Sequence, residues 1–207
     1  RIFSAVHPVQ GSTKIGLGLP GRDEEIDEYR SFLRTLGRLG IGVAGYAFHP
    51  GNTYSTGRVE HRGYSARAFD LETFRTQHEK MRFGREYSAN EMWDNYAYFM
   101  NAVLPVAEEA DVRLALHPDD PPVESMGGVA RVFCNFENFR WSLETFDSPM
   151  HGLDFCHGCW TEMRGGERVN EAIRYFGDRG KIFYVHYRDV QGSVENFTEC
   201  QLGEGNC

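Results

Sequence analysis

The sequence has no apolar run approaching the ~18 residues that a membrane span requires, and its start does not read as a signal peptide. A membrane is therefore not an expected partner. The sequence also lacks a basic excess. It carries 22 Lys and Arg against 30 Asp and Glu, a formal charge of -8. A nucleic-acid-binding face needs clustered cations to displace counterions from phosphates, so nucleic acid is not expected either. Cysteine is sparse and odd in number, at positions 134, 156, 159, 200 and 207. That usage excludes a disulfide scaffold and fits a reducing, cytoplasmic compartment. There is no internal repeat, no low-complexity tract and no initiator Met. Arg1 leads at once into a strand-like run, and 203–207 reads as a loop heading into something further, so a fragment is expected.

What is present suits one globular domain. The 207 residues are 41% hydrophobic and 25% charged, enough for a substantial core. A strand is expected over 2–7, a Gly-rich loop over 11–21 and a helix over 24–39. Asp23 is placed as that helix's cap, with Ile26, Tyr29, Phe32, Leu33 and Leu36 as its apolar stripe. A strand follows over 41–48. Residues 49–87 are long, polar and rich in Arg, Gly and Tyr, which suggests an active-site loop or insertion. Ser88-Ala89-Asn90-Glu91 is a capping box opening a helix to about 110, with a kink or restart expected at Pro105. Strands over 112–116, 153–156 and 182–186 alternate with helices near 136–146 and 167–178.

Strands alternating with helices imply parallel pairing and right-handed crossovers. A doubly wound sheet is one solution. The preferred one is a (β/α)8 TIM barrel, incomplete here at about five of eight βα units, with 1–207 as a single partial catalytic domain. The preference rests on where the chemistry lies. Three apolar runs end in potential metal ligands: 112–117 in His117, 152–156 in Cys156 and 181–186 in His186. A barrel gathers its strand ends at one rim, so these three can meet. Two imidazoles and a thiolate suit a borderline cation such as Zn²⁺ or Fe²⁺, and a further carboxylate shifts the balance toward Mn²⁺ or Fe²⁺.

Each residue also has a plainer reading. His117 opens the turn His117-Pro118-Asp119-Asp120-Pro121-Pro122, where it could be a hydrogen-bonded turn histidine. Asp119 and Asp120 are candidates to hold its ring. Cys156-His157-Gly158-Cys159 is a CxxC, open to a redox role or to a buried structural cysteine. Arg188 is a candidate for binding a substrate carboxylate or for pairing with a nearby acid. His7, ending the first strand, is a second candidate substrate contact.

Four segments, in order, carry a resemblance to the D-mannonate dehydratases, the sugar-acid lyases of hexuronate breakdown. They are Lys14 to Asp23 (KIGLGLPGRD), Leu114 to Pro122 (LALHPDDPP), Gly152 to Cys156 (GLDFC) and Val185 to Val190 (VHYRDV). The HPDDPP block is the most specific. The runs after Cys156 and over 49–69 depart from the family pattern. The resemblance implies a xylose-isomerase-like barrel and a Mn²⁺ or Fe²⁺ centre held by His, Cys, His and Asp. The first three map onto His117, Cys156 and His186. It implies that the Asp, and an acid/base His and Tyr, lie in a later segment beyond Cys207. The implied reaction dehydrates D-mannonate to 2-keto-3-deoxy-D-gluconate, with a sugar acid as partner; a homo-oligomer is compatible with it. A sugar isomerase or epimerase on the same fold, or an inactive truncated metal-binding homologue, is the alternative.

Overall fold

The computed structural model describes residues 2–7, 11–51 and 53–206. Strand β1 (Ser4–Val6) is followed by a short helix α1 (Thr13–Leu17) and the long helix α2 (Arg22–Leu39). The expected loop over 11–21 thus contains a helix, because Ser12 Oγ accepts from the Ile15 N–H and closes the first turn. Asp23 does not cap α2. Gly21, at φ 87°, is the N-cap, and Asp23 sits in the first turn, where its carboxylate faces the positive helix end and accepts from Tyr98. Ile26, Tyr29, Leu33 and Leu36 are buried as the apolar stripe requires.

Strand β2 (Val43–Ala47) leads into residues 49–87. These carry an antiparallel hairpin, β3 (Gly57–His61) and β4 (Tyr64–Asp70), then a helical turn α3 (Leu71–Thr73) continued by π-helix Phe74–His78. Helix α4 (Ala89–Ala110) begins at the Ser88–Glu91 capping box. It runs unbroken through Pro105, with no restart. Pro105 and Asn101 are exposed, so the carbonyl that loses its intrahelical partner faces water. Strand β5 (Arg113–His117) follows, then a small ribbon of β6 (Ser125–Met126) and β7 (Val129–Ala130). The remaining elements are α5 (Phe136–Thr145), β8 (His151–Cys156), α6 (His157–Glu162), α7 (Val169–Gly177) and β9 (Ile182–His186). Two further strands, β10 (Asp189–Ser193) and β11 (Asn196–Cys200), occupy a region whose sequence has no strand-like apolar pattern.

Two sheets decide the architecture. Strands β1, β2, β5, β8 and β9 form a parallel sheet in that spatial order. The order follows the chain without reversal. A doubly wound sheet reverses direction at a switch point, whereas successive barrel strands do not. The described strands are thus the consecutive βα units of an incomplete (β/α) barrel. Leu114, Leu116, Leu153 and Phe155 join the helices in the main core, which leaves Ala115, His117, Asp154 and Cys156 on the opposite, inner face. The second sheet is antiparallel, in the order β10-β11-β4-β3. It encloses a smaller core of Phe69, Phe74, Val123, Met126, Val190 and Phe197.

Candidate metal centre

His117, Cys156 and His186 each end a parallel strand, and the sheet brings them to one rim. Their ligand atoms all lie within 4.8 Å of one another. Cys156 and His186 are register partners, and the two imidazole centroids are 5.8 Å apart. The Cys156–His186 pairing depends on an irregularity in β9. Leu153 pairs with Ile182 but Asp154 pairs with Tyr184, so Phe183 is an extra residue. Without that bulge Val185 would stand opposite Cys156, and His186 would point to the other face.

The triad's protons are shared. Burial alone would depress His117, but its hydrogen bond with Cys156, that thiolate's charge and Asp154 carry it up to about 9. The hydrogen bond from Cys159 holds the Cys156 thiol well below its usual range against burial, with His117 and His186 acting in the same sense. His186 is raised chiefly by its bond to Cys156. The two imidazoles are thus biased toward their protonated forms and the Cys156 thiol toward its thiolate, a donor set from which a cation can displace protons. His117 Nδ1 lies 2.7 Å from the Pro118 carbonyl. Donation there fixes the tautomer and frees Nε2 for a ligand role.

The two aspartates of the turn do not hold His117. Asp119 accepts from Arg131 and from the Phe133 N–H, at 3.1 and 2.7 Å, while Asp120 accepts from Arg67 Nη2 at 2.9 and 3.0 Å. Below the triad, Tyr184 donates to Asp154 Oδ2 at 2.7 Å, and Asp154 Oδ1 is buried with no hydrogen-bond partner. Neither residue was singled out from the sequence. The sequence carries a signal for both: each lies two positions before a candidate ligand on its strand, hence on the same face.

Arg188 is turned into a second cluster beside the triad. Its guanidinium donates to Glu162 at 2.6 Å, Glu199 at 2.8 Å and Cys159 Sγ at 3.2 Å, and lies 3.5 Å from Asp120. Arg67 joins Asp120 and Glu199 in the same network. Glu162 is fully buried, and burial raises its carboxyl to about 8. Charge balance supports that direction: two guanidinia already match Asp120 and Glu199, so the most buried acid is held neutral. Asp120, Cys159 and Glu162 also have donor atoms within 4.8 Å of one another, but guanidinia stand where a cation would. Arg67, Glu162 and Glu199 come from three distant segments, and no local pattern marked them.

A cleft of about 610 Å³ is lined by His186, Arg188, Glu199, Tyr64 and Tyr187, joining one triad member to the arginine. His7 stands just past β1, partly buried, with its ring against Tyr29 and Phe32 of α2 at 5.9 and 5.0 Å. A larger cavity of about 680 Å³, lined in part by Phe74, Asn135 and Trp160, touches none of the three ligand candidates.

Comparison with known proteins identifies the family. The family profile of D-mannonate dehydratase (UxuA) matches residues 59–206. A mannonate dehydratase from Thermotoga petrophila is 30% identical over 225 aligned residues, covering 93% of this chain. The chain spans 62% of that relative's length. The crystal structure of mannonate dehydratase from Streptococcus suis serotype 2 superposes with a TM-score of 0.85 at 27% identity, covering 96% of this chain and 59% of that one. A xylose isomerase-like TIM barrel protein from Mycobacterium smegmatis matches with a TM-score of 0.63 at 9% identity, covering 99% of this chain and 58% of that one. That last likeness speaks for the barrel fold alone. Taken with the profile match over most of the chain, these findings show that the chain belongs to the D-mannonate dehydratase family.

Proposed function

We propose that this chain carries most of the metal centre of a hydro-lyase that converts D-mannonate to 2-keto-3-deoxy-D-gluconate, and that His117, Cys156 and His186 hold a divalent cation, Mn²⁺ or Fe²⁺. The observation that carries the reading is the convergence of three ligand atoms within 4.8 Å at the C-terminal ends of adjacent parallel strands, where barrels place their chemistry.

The donor set fits. A thiolate and two imidazoles suit a borderline cation, and His117 Nδ1, bonded to Pro118, directs Nε2 outward. When bound, the cation supplies Lewis-acid stabilisation for the charge that develops beside the substrate carboxylate as C2 loses its proton. The chain's own contribution is to bind and orient. Arg188 lines the same cleft as His186 and can take a sugar-acid carboxylate by exchanging it for Glu199, its most exposed partner. His7, whose ring packs against Tyr29 and Phe32 of α2, is not among the groups assigned to the substrate. Four free cysteines among the described residues suit a reducing, cytoplasmic setting, where a thiolate ligand persists.

Elemental analysis after loading with Mn²⁺ or Fe²⁺ tests the ligand assignment. One ion per chain is expected, lost on His186→Ala; full stoichiometry in that variant would overturn it. Turnover of D-mannonate tests the reaction. A 2-keto-3-deoxy acid supports dehydration, and an isomerised or epimerised acid with water retained overturns it.

A further inference from the structure

Cys159 is the member of the CxxC that the proposed metal centre does not use as a ligand. It is fully buried, hydrogen-bonded to the Cys156 thiol, and held from its other side by Arg188 Nη2 at 3.2 Å. Cys156 is the N-cap of α6 and Cys159 its third residue, a spacing that stacks side chains on one helix face. The remaining described cysteines are elsewhere: Cys134 precedes α5 and bonds the Arg131 carbonyl, and Cys200 ends β11. Cys156 itself is covered, but its two triad neighbours are not: His117 is partly exposed and His186 exposed, so a small oxidant can enter from their side.

We infer that Cys159 is a resolving thiol for Cys156, and that a peroxide converts the pair into a reversible disulfide that withdraws a ligand from the metal centre. The metal consequence rests on the ligand assignment above; the disulfide does not. The chemistry balances. The Cys156 thiolate attacks one peroxide oxygen, the O–O bond breaks, and Cys156 becomes a sulfenic acid as hydroxide leaves. Cys159 sulfur then attacks the sulfenic sulfur, the S–O bond breaks, and water departs with the thiol proton. Two electrons pass from the sulfurs to the peroxide, and a dithiol reductant reverses the change. Arg188 holds Cys159 in place for the second step; without that thiol, oxidation of Cys156 continues to the irreversible sulfinic acid.

The test uses the chain loaded with Zn²⁺, which is redox-inert, and treated with hydrogen peroxide. Tryptic peptide 141–164 contains Cys156 and Cys159 and no other cysteine. The expected result is loss of two hydrogens from that peptide, release of one zinc per chain, and recovery of both on adding dithiothreitol. Cys159→Ser should bind zinc as before and keep its circular dichroism, yet end as a sulfinic acid at Cys156 that dithiothreitol does not reverse. Sulfinic acid as the main product in the unaltered chain, or pairing of Cys156 with Cys134, Cys200 or Cys207, would overturn the inference. A chain that forms the disulfide but takes up no zinc beforehand supports the thiol pair and sinks the metal reading.

Discussion

Two clusters, one open to solvent on the side of His186 and one buried, meet at the turn from Cys156 to Cys159, and each has three metal-ligating side chains within 4.8 Å. They differ in where the positive charge resides. In the triad it is protonic, drawn toward His117 and His186 by their bonds to the Cys156 thiol. In the network it is fixed on Arg67 and Arg188, which contact Asp120, Glu162 and Glu199. A divalent ion can displace protons and take their place. It cannot displace a guanidinium that is anchored to its own backbone and always charged. Donor proximity therefore does not make a metal site; the identity of the resident cation does. The network does a different job. It joins Arg67 of β4 and Glu199 of β11 to Glu162 of α6 and the turn after β5, and so fastens the antiparallel sheet to the barrel rim.

The sharpest way to break this contrast is to remove one member from each side. His186→Ala should lower metal affinity by on the order of 100-fold or more, because a first ligand matters more than the outer partners whose loss costs about 10–100-fold. Equilibrium dialysis with Mn²⁺ reads it. Arg67→Ala should leave metal stoichiometry intact and lower the urea midpoint instead. Its guanidinium is mostly buried, at 14% side-chain exposure, and breaking a buried pair costs about 3–5 kcal/mol. The low end applies, since Asp120 keeps Arg188 at 3.5 Å. An unchanged midpoint would mean the network does not fasten the sheet.

The pH dependence separates the clusters further. Glu162 titrates near 4.5 when unfolded and about 8 when buried in the fold. Between those values the folded chain holds a proton that the unfolded chain has released. Stability therefore falls as pH rises from about 4.5 through about 8 and then levels. Glu162→Gln, neutral throughout, should flatten that part of a urea-unfolding series. A slope that persists unchanged would show that Glu162 is ionised in the fold.

The triad was legible in the sequence because its geometry is local three times over. An apolar run fixes a strand, a strand end fixes a rim, and His117, Cys156 and His186 each stand at such an end. The parallel sheet was legible for the same reason. The network was not, because Arg67, Asp120, Glu162, Arg188 and Glu199 are brought together by tertiary contacts, and a surface-typed Arg or Glu reads as solvated. Strands β10 and β11 carry no legible pattern because only Val190 and Phe197 among their residues are deeply buried apolar side chains. Residue type alone makes Asp23 the cap of α2, but a left-handed Gly21 already ends the preceding turn.

The bulge in β9 lies between these cases, since the strand was foreseeable and its register was not. Phe183 is accommodated opposite Gly152, where an added methyl would come within 2.5 Å of the Lys181 carbonyl and 2.6 Å of the Phe183 ring. The carbonyl belongs to the β8–β9 ladder, accepting from the Leu153 N–H at 2.7 Å, so it cannot give without disturbing the register. Gly152→Ala should therefore cost about 1–2 kcal/mol, in the range of overpacking, and weaken metal binding severalfold by shifting His186 relative to Cys156. It should leave the Glu162-dependent pH slope as it was, because the network draws nothing from this end of β9. Lower stability with unaltered metal affinity would mean that the ligand positions are set at the rim itself, by the turns after β5 and β8, and that the bulge serves only packing.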